Sequence, residues 1–218
     1  MNLISVLIRS LLSFQMLLSL ASFSLPPTQD SGTTWVVTLL EDGTDGSCSD
    51  GNCSLRDAID LAAPGDTIRF SAAGTLNLLG GELLIQKSLK IIGPGPEQLI
   101  INARHKSRVI NIYAGAQTEV FLSGMTIKNG LSTLSFGGGV SNSALLGGSK
   151  LIISNCIFQE NTAEGDGGGI YSTGPLTILG SSFSHNQGYI GGAISGSFAP
   201  LTIANSLFTE NTAPSGNG

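Results

Sequence analysis

The sequence predicts an all-β protein, a single-stranded parallel β-helix wound into coils of about 25 residues, with a short capping helix at its N-terminal end. Three observations support this fold class. Segments starting at residues 151, 176 and 201 repeat one another at an offset of 25 positions. Within "LTIL", which starts at Leu176, side chains alternate between two faces with the period of a strand. Thirty glycines and only 11% charged residues suit many strands joined by tight turns.

Residues 1–24 are predicted to be a secretory signal peptide. A lone Arg9 precedes an apolar stretch around Leu11 to Phe23, and small residues then lead to Pro26-Pro27. An uncleaved membrane anchor is the alternative, but the strictly apolar run is shorter than the roughly 20 residues that a spanning helix needs. We therefore expect the chain to be exported.

Residues 25–70 are predicted to form an N-terminal cap built around one helix, "SLRDAIDLA". Ser54 is a favourable N-cap, Asp57 stands three residues later, and Pro64-Gly65 ends the helix. Its apolar stripe consists of Leu55, Ala58, Ile59 and Ala62. The end of a solenoid exposes unpaired strand edges, so we expect this amphipathic helix to cover them.

The same cap contains two cysteines in the polar loop "CSDGNC". An oxidising compartment would let Cys48 and Cys53 pair as a disulfide, and the lack of a nearby His argues against zinc. Cys156 falls in the coils and is expected to be a small buried apolar residue. Calcium binding by the acidic stretch before and within this loop is left open, although its spacing is not that of an EF-hand. The ligands would be Asp42, Asp45 and Asp50.

Residues 71–218 are predicted to be β-helix coils. Equivalent residues of successive coils should lie about 4.8 Å apart, so the repeat predicts two internal ladders. The ladders are an aromatic stack of Phe158, Phe183 and Phe208, and a column of Asn161, Asn186 and Asn211. Turn geometry explains the Asn column, because Asn tolerates left-handed backbone angles and can bond its own turn or the next Asn. A ligand contact is the alternative.

Less regular strands are predicted before the clear repeats. They are Thr75 to Leu79, Leu83 to Gln86, Leu89 to Ile92, Leu99 to Asn102, and Val109 to Tyr113. Turn signals such as "GPGP" separate them, so they are expected to form the first coils.

The charge pattern bears on partners and chemistry. A net charge of −5 gives no reason to propose a nucleic-acid partner. The basic run at 104–108 is predicted to be a solvated turn, with a polyanion contact as the alternative. One acidic column is visible: Glu160 and Glu210 with His185 between them. We interpret these three as outward turn residues, with weak metal binding as the alternative. No catalytic residue and no cofactor is assigned.

The cap and the repeats together resemble a known group of proteins. "CSLRDAI", Cys53 to Ile59, followed by "APGDTIRF", is similar to the CSLREA-type motif of secreted bacterial β-helix proteins, with Asp57 where Glu is usual. "GGAI" together with "FQEN", "FSHN" and "FTEN" resembles the GGA[ILV] and FxxN repeats of polymorphic outer membrane proteins. This resemblance implies a right-handed parallel β-helix displayed at or beyond the outer membrane, often associated with adhesion.

We therefore expect a secreted or cell-surface β-helix for display or adhesion that is not an enzyme, with an unidentified surface receptor or glycan as its partner. A polysaccharide lyase or glycoside hydrolase is the first alternative, and a purely structural spacer is the second. The tail "FTENTAPSGNG" stops inside a repeat. It predicts that the chain is the N-terminal piece of a longer protein or a truncated reading frame, with outer-membrane association through the missing part.

Overall fold

Twenty short strands and one helix make up the part of the chain that the computed structural model describes, which is residues 32–133, 135–144, 147–196 and 199–214. The predicted signal peptide lies outside these residues. The first ten strands are β1 (Thr34–Val37), β2 (Thr67–Phe70), β3 (Gly74–Asn77), β4 (Leu83–Ile85), β5 (Leu89–Ile92), β6 (Leu99–Asn102), β7 (Ile110–Ile112), β8 (Glu119–Ser123), β9 (Thr126–Lys128) and β10 (Leu131–Ser132).

The second ten strands belong to the clear repeats. They are β11 (Val140–Asn142), β12 (Lys150–Ser154), β13 (Ile157–Gln159), β14 (Thr162–Ala163), β15 (Ile170–Ser172), β16 (Leu176–Leu179), β17 (Ser182–Ser184), β18 (Ile194–Gly196), β19 (Leu201–Ala204) and β20 (Leu207–Thr209). The helix α1 spans Leu55–Leu61. The strands predicted between residues 75 and 113 are all present, so that prediction is confirmed.

The strands form three long parallel sheets, which we call A, B and C. Sheet A has the order β1-β2-β5-β8-β12-β16-β19, sheet B the order β3-β6-β9-β13-β17-β20, and sheet C the order β4-β7-β11-β15-β18. The chain thus visits A, B and C in turn and then returns to A one coil further along. Every strand pair is parallel, which confirms the predicted parallel β-helix. A fourth, two-stranded sheet of β10 and β14 lies between B and C.

The core is a set of apolar ladders inside the coils. In sheet A, one ladder consists of Ile68, Ile91, Leu122, Ile153 and Ile178, each paired with the next and each almost fully buried. Alternation along each strand directs these side chains inward and their neighbours outward. The hydrophobic face of every coil is therefore buried only because another coil lies above or below it.

The corners of the coils are made by single residues with left-handed backbone angles. The corner between sheets A and B uses Gly124, Asn155, Gly180 and Asn205. The corner after sheet B uses Asn129, Glu160, His185 and Glu210, and the corner before sheet C uses Gly137, Gly167 and Gly191. One such residue turns the chain sharply, and its recurrence in register keeps successive coils the same shape.

The helix α1 closes the N-terminal end of the core. It lies between β1 and β2 in the chain, where the first coil has no strand in sheet B or C. Ser54 caps it by accepting a hydrogen bond from the Asp57 backbone N–H at 3.1 Å. Leu55, Ala58 and Ile59 are buried in the same apolar core as the coils.

A buried carboxylate ties the first strand to the end of the helix. Asp66 accepts hydrogen bonds from the Trp35 indole N–H at 2.9 Å, the Thr33 N–H at 2.7 Å and the Ala63 N–H at 2.8 Å. Burial by itself would raise the pKa of Asp66, but these hydrogen bonds, aided by the charge of Lys87, outweigh burial and lower the pKa.

Two further carboxylates hold the loop that precedes the helix. Asp57 accepts from the Thr44 hydroxyl at 2.6 Å and the Ser54 hydroxyl at 2.7 Å, and its pKa is lowered although burial opposes the change. Asp42 bonds Arg56 at 2.6 Å and accepts from two backbone N–H groups beyond β3. Burial again opposes the shift, but these partners lower the pKa of Asp42. The cap is therefore fastened by ionised groups rather than by apolar packing alone.

We expect the cap to weaken in acid. A carboxylate with a lowered folded-state pKa contributes stability that is complete above its unfolded pKa, near 3.8, and is lost as the pH falls through the folded pKa. The free energy of unfolding, measured with urea between pH 7 and pH 2, should therefore fall below about pH 4. In Asp66→Asn the fall should be shallower, whereas Asp60→Asn, on the exposed side of the helix, should keep the parental profile. Identical profiles for all three chains would contradict this account.

Candidate functional site

The Phe residues of the repeat form a stack inside the coils. Phe158 and Phe183 lie with ring centroids 4.6 Å apart and planes 6° apart, and Phe183 and Phe208 lie 4.9 Å and 8° apart. The first two are fully buried, and Phe208 is 39% exposed on the last coil. Toward the N-terminus, the same inward column continues as Ile127 and Ile101. The Phe158 and Phe183 rings are thus part of the core and are not accessible to a ligand.

The Asn residues of the repeat also face inward, where their amides form a hydrogen-bonded ladder. The Asn161 side chain donates to the Asn186 side chain at 2.9 Å, and Asn186 donates to Asn211 at 2.9 Å. Each amide also donates to a backbone carbonyl of the neighbouring coil, as Asn186 does to Phe158 at 3.0 Å. Asn161 and Asn186 are fully buried, so every polar atom of the ladder needs such a partner.

One part of the Asn prediction is wrong. The left-handed backbone angle belongs to the preceding residue, with φ of 55° at Glu160, 55° at His185 and 54° at Glu210. A residue in that conformation turns its side chain to the outside, and the following residue then points into the core. The amide at that position supplies donors and acceptors that the bent backbone requires, which a charged or apolar side chain would not.

The paired glycines of the repeat lie against the backbone of the next coil. A Cβ on Gly168 would stand 2.3 Å from the Gln187 carbonyl oxygen, and one on Gly192 would stand 2.4 Å from that of Thr212. A Cβ on Gly169 would also meet the Asn186 amide at 3.4 Å. The Phe-x-x-Asn and Gly-Gly motifs therefore occur together because one packs on the other in the next coil.

The left-handed corner after sheet B carries the only acidic column seen in the sequence, and its side chains point outward. The His185 imidazole Nε2 lies 2.6 Å from Glu210, and Lys128 lies 3.7 Å from Glu160. His185 and Glu210 are 56% and 73% exposed, so these pairs add little to stability. Within the described residues, no group of three His, Cys, Asp or Glu side chains is placed to hold a metal ion.

The three aspartates considered as calcium ligands in the cap loop each bond a different partner. Asp42 turns to Arg56, while Asp45 and Asp50 each accept from a backbone N–H two residues on, at 2.9 Å. A depression of about 240 Å³ in this loop is lined by Glu41, Asp45 and Asp57, among others. The Asp57 carboxylate there is already bonded to Thr44, Gly46 and Ser54.

The three cysteines have two different roles. Cys48 and Cys53 form a disulfide bond within the cap loop, and Cys53 packs into the core. Cys156 is a free, buried thiol at the corner between sheets A and B, and burial raises the pKa of this thiol to about 12. A thiol with that pKa is not a nucleophile near neutral pH.

The basic run at 104–108 is only partly a solvated turn. Arg104, His105 and Lys106 are exposed, but the Arg108 side chain is only 10% exposed. Arg108 donates to Glu82 at 3.1 Å, to the Gly137 carbonyl at 2.9 Å and to two serine hydroxyls, Ser132 and Ser135, on the next coil. Burial lowers the pKa of Arg108 and Glu82 opposes that change. The expectation of a solvated turn is therefore wrong for Arg108, which joins three coils.

Two aromatic rings lie stacked on the outer face of sheet C, a feature that sequence reasoning missed. Phe136 and Tyr171 have ring centroids 4.6 Å apart at an interplanar angle of 21°. Phe136 is 42% exposed, and it comes from the loop before β11, whereas Tyr171 is the outward residue of β15. The outward position of Tyr171 could have been read from its place between Ile170 and Ser172, but no periodic signal marks Phe136.

The repeat is similar to that of one known family. Residues 155–173 match the Chlamydia polymorphic membrane protein repeat, and this segment contains Phe158, Asn161 and Gly167 to Gly169. No curated protein and no solved structure matches the chain. The match supports the resemblance to polymorphic outer membrane protein repeats, while the CSLREA-type motif and secretion stay predictions. In the described part of the chain, no helix is long and apolar enough to cross a bilayer.

We expect the Asn ladder to be essential for stability. Asn186→Ala removes four hydrogen bonds and leaves the amides of Asn161 and Asn211 without their partner. It should lower the free energy of unfolding, measured with urea, by about 2–4 kcal/mol. Ser184→Ala, an outward position of the same coil, is the control and should change it by less than about 0.5 kcal/mol. Equal effects of the two substitutions would contradict the ladder's role.

The close packing of Gly168 on the next coil leads to a second prediction. In Gly168→Ala the new Cβ meets the Gln187 carbonyl, so two coils must separate, and the free energy of unfolding should fall by about 1–3 kcal/mol. The matched control is Gly115→Ala, where a Cβ would meet nothing within 4 Å. Circular dichroism during urea unfolding measures both. A Gly168→Ala chain as stable as its control would show that the coils are not packed this closely.

Proposed function

We propose that this chain is secreted and displayed at the cell surface or outer membrane, where it acts as a non-enzymatic β-helix that mediates adhesion. The observation that carries the proposal is that inward and outward side chains of each coil have different roles. The side chains of the repeat motif point inward and hold the coils together, as the Phe stack and the Asn ladder do. The outward positions are free to differ between coils, which suits a rod that presents a binding surface.

Export is supported by two features of the N-terminal region. The first 24 residues have the order of a signal peptide. The Cys48–Cys53 disulfide is of a kind that forms and persists outside the reducing cytosol. The similarity of residues 155–173 to a polymorphic membrane protein repeat is consistent with the same location.

The distribution of carboxylates supports a binding role over catalysis. Cleavage of a polysaccharide needs two carboxylates, or a cation site with a nearby base, facing one substrate position. In the coils, Glu82 bonds Arg108 and Asn111, Glu160 lies near Lys128, and Glu210 pairs with His185. These three glutamates are each engaged with a different partner.

An attachment assay tests the proposal. Beads coated with the purified full-length chain should bind cultured epithelial cells, and beads coated with the urea-denatured chain should not, because the binding surface exists only when the coils are stacked. Microscopy of washed monolayers gives the number of bound beads. No excess over the denatured control would overturn adhesion and favour a structural spacer.

A turnover assay tests the non-enzymatic part separately. Incubation with polygalacturonate and other acidic glycans should release no unsaturated product and no reducing ends. Cleavage that is abolished by Glu160→Gln or Glu210→Gln would show a polysaccharide-degrading enzyme instead. The two exposed glutamates make suitable targets, since their replacement leaves the core intact.

A further inference from the structure

Exposed aromatic side chains are present on the outer face of sheet C. Apart from Phe208 on the last coil, the described residues with strongly exposed rings are Tyr113, Phe136 and Tyr189, at 49%, 42% and 59%. Tyr113 follows β7 at an outward position, two residues after Asn111, so it shares the outer face of sheet C with the stacked pair. Phe136 and Tyr171 are in contact, so they form a small continuous apolar patch rather than scattered single side chains.

We propose that the outer face of sheet C binds neutral glycans, with the exposed Phe136 ring, supported by the Tyr171 ring stacked on it, as the platform on which a sugar ring lies. This inference rests on the proposed adhesive function and names the chemistry of its ligand. The platform is defined as these two residues.

The platform is held in place before any ligand binds. The Phe136 ring is stacked on Tyr171 at 4.6 Å, and its edge lies over Gly165, where a Cβ would stand only 2.7 Å from the ring. The absence of a side chain at Gly165 thus makes room for the ring. An exposed ring that is already fixed loses little conformational entropy on binding, which favours affinity.

A polar cluster lies further along the same sheet. The outward column of sheet C is Leu84, Asn111, Ser141, Tyr171 and Ser195, each one strand spacing from the next, and Ser141 is buried between Asn111 and Tyr171. Asn111 therefore lies about 10 Å from Tyr171, two spacings of about 4.8 Å away. Its amide donates to Glu82 at 2.7 Å, and Glu82 also accepts from Arg108 at 3.1 Å.

These features match a neutral sugar chain better than an acidic one or a protein. The axial C–H groups of a pyranose carry partial positive charge and are attracted to the negative face of an aromatic ring. The hydroxyls of a further sugar along the chain can bond the Asn111 amide and the Glu82 carboxylate, which lie two coils from Tyr171. Glu82 and Arg108 neutralise each other, so the column offers no net positive charge to an acidic glycan. The core of a protein interface is usually depleted in charged residues, whereas the charged pair Arg108 and Glu82 lies beside this column.

The test is a binding measurement with defined sugars. The purified full-length chain is titrated against immobilised hexasaccharides of glucose, mannose, galactose and N-acetylglucosamine, with heparin and polygalacturonate as acidic probes. We expect at least one neutral hexasaccharide to bind. Phe136→Ala should weaken that binding about tenfold, the loss expected for one stacked aromatic contact, and Phe136→Trp should retain it. Leu179→Ala, which removes an exposed apolar side chain from sheet A, is the matched control and should leave binding unchanged.

The outcomes separate this inference from the proposed function. Binding to no neutral hexasaccharide, or equal binding by the parent chain and Phe136→Ala, overturns the glycan assignment even if cells are still bound. A loss of cell attachment in Phe136→Ala without sugar binding would identify a protein-binding surface and would also overturn it. Sugar binding that depends on Phe136 without any cell attachment would sustain the platform and overturn adhesion. Melting curves of all variants show whether each is folded.

Discussion

The coils stack in register, one strand spacing apart, and the other features of this fold follow from that stacking. A residue at a given position meets its own equivalent in the next coil, so each position must suit a neighbour of the same kind. Phe158 lies on Phe183, and Asn161 bonds Asn186. Gly168 is needed because the next backbone passes where its Cβ would be. The short motifs of the repeat are the consequence, because each satisfies its copy above and below.

Because the coils stack in register, inward-facing residues hold the fold together, whereas outward-facing residues are available for function. Each inward residue contacts its equivalent in the neighbouring coil, so a substitution there destabilises both coils. Outward positions are not part of the inner ladders, so they differ from coil to coil: the outer column of sheet C runs from Leu84 and Asn111, through the buried Ser141, to Tyr171. A binding surface in such a rod is therefore made of residues that the repeat does not specify. Within the described residues, the N-terminal end departs from this pattern: no described coil precedes β1, and α1 covers the core there, held by the Asp42, Asp57 and Asp66 carboxylates.

The Asn column shows how far reasoning from residue type reaches. The type and spacing correctly predict a ladder with side-chain amide bonds, but they assign the left-handed backbone to the wrong residue. Asn is a common choice for that conformation, whereas Glu160 and Glu210 are unusual ones. In the fold, Asn occupies the inward position instead, because the hydrogen bonds of its buried amide stabilise the coil more than an Asn at the corner would by relieving backbone strain. The run at 104–108 is similar: charge predicts exposure, yet Arg108 is buried by partners on neighbouring coils.

The parallel β-helix, the strands of the coils, the helix of the cap and the in-register motif columns could all be predicted from the residues alone. The coils follow from a fixed period and from alternation along a strand, and the helix follows from its N-cap and its apolar stripe, all of which are local patterns. Contacts between residues that are not related by the period became visible in the folded chain alone. Phe136 and Tyr171 are 35 positions apart, whereas the strand partner of Tyr171 is Ser141 at 30 positions, because Phe136 belongs to the loop before β11. Trp35 with Asp66 and Arg108 with Glu82 are likewise contacts between non-equivalent positions. Such contacts have no sequence signal, since the path of the loop that brings them together is set by packing on the neighbouring coil.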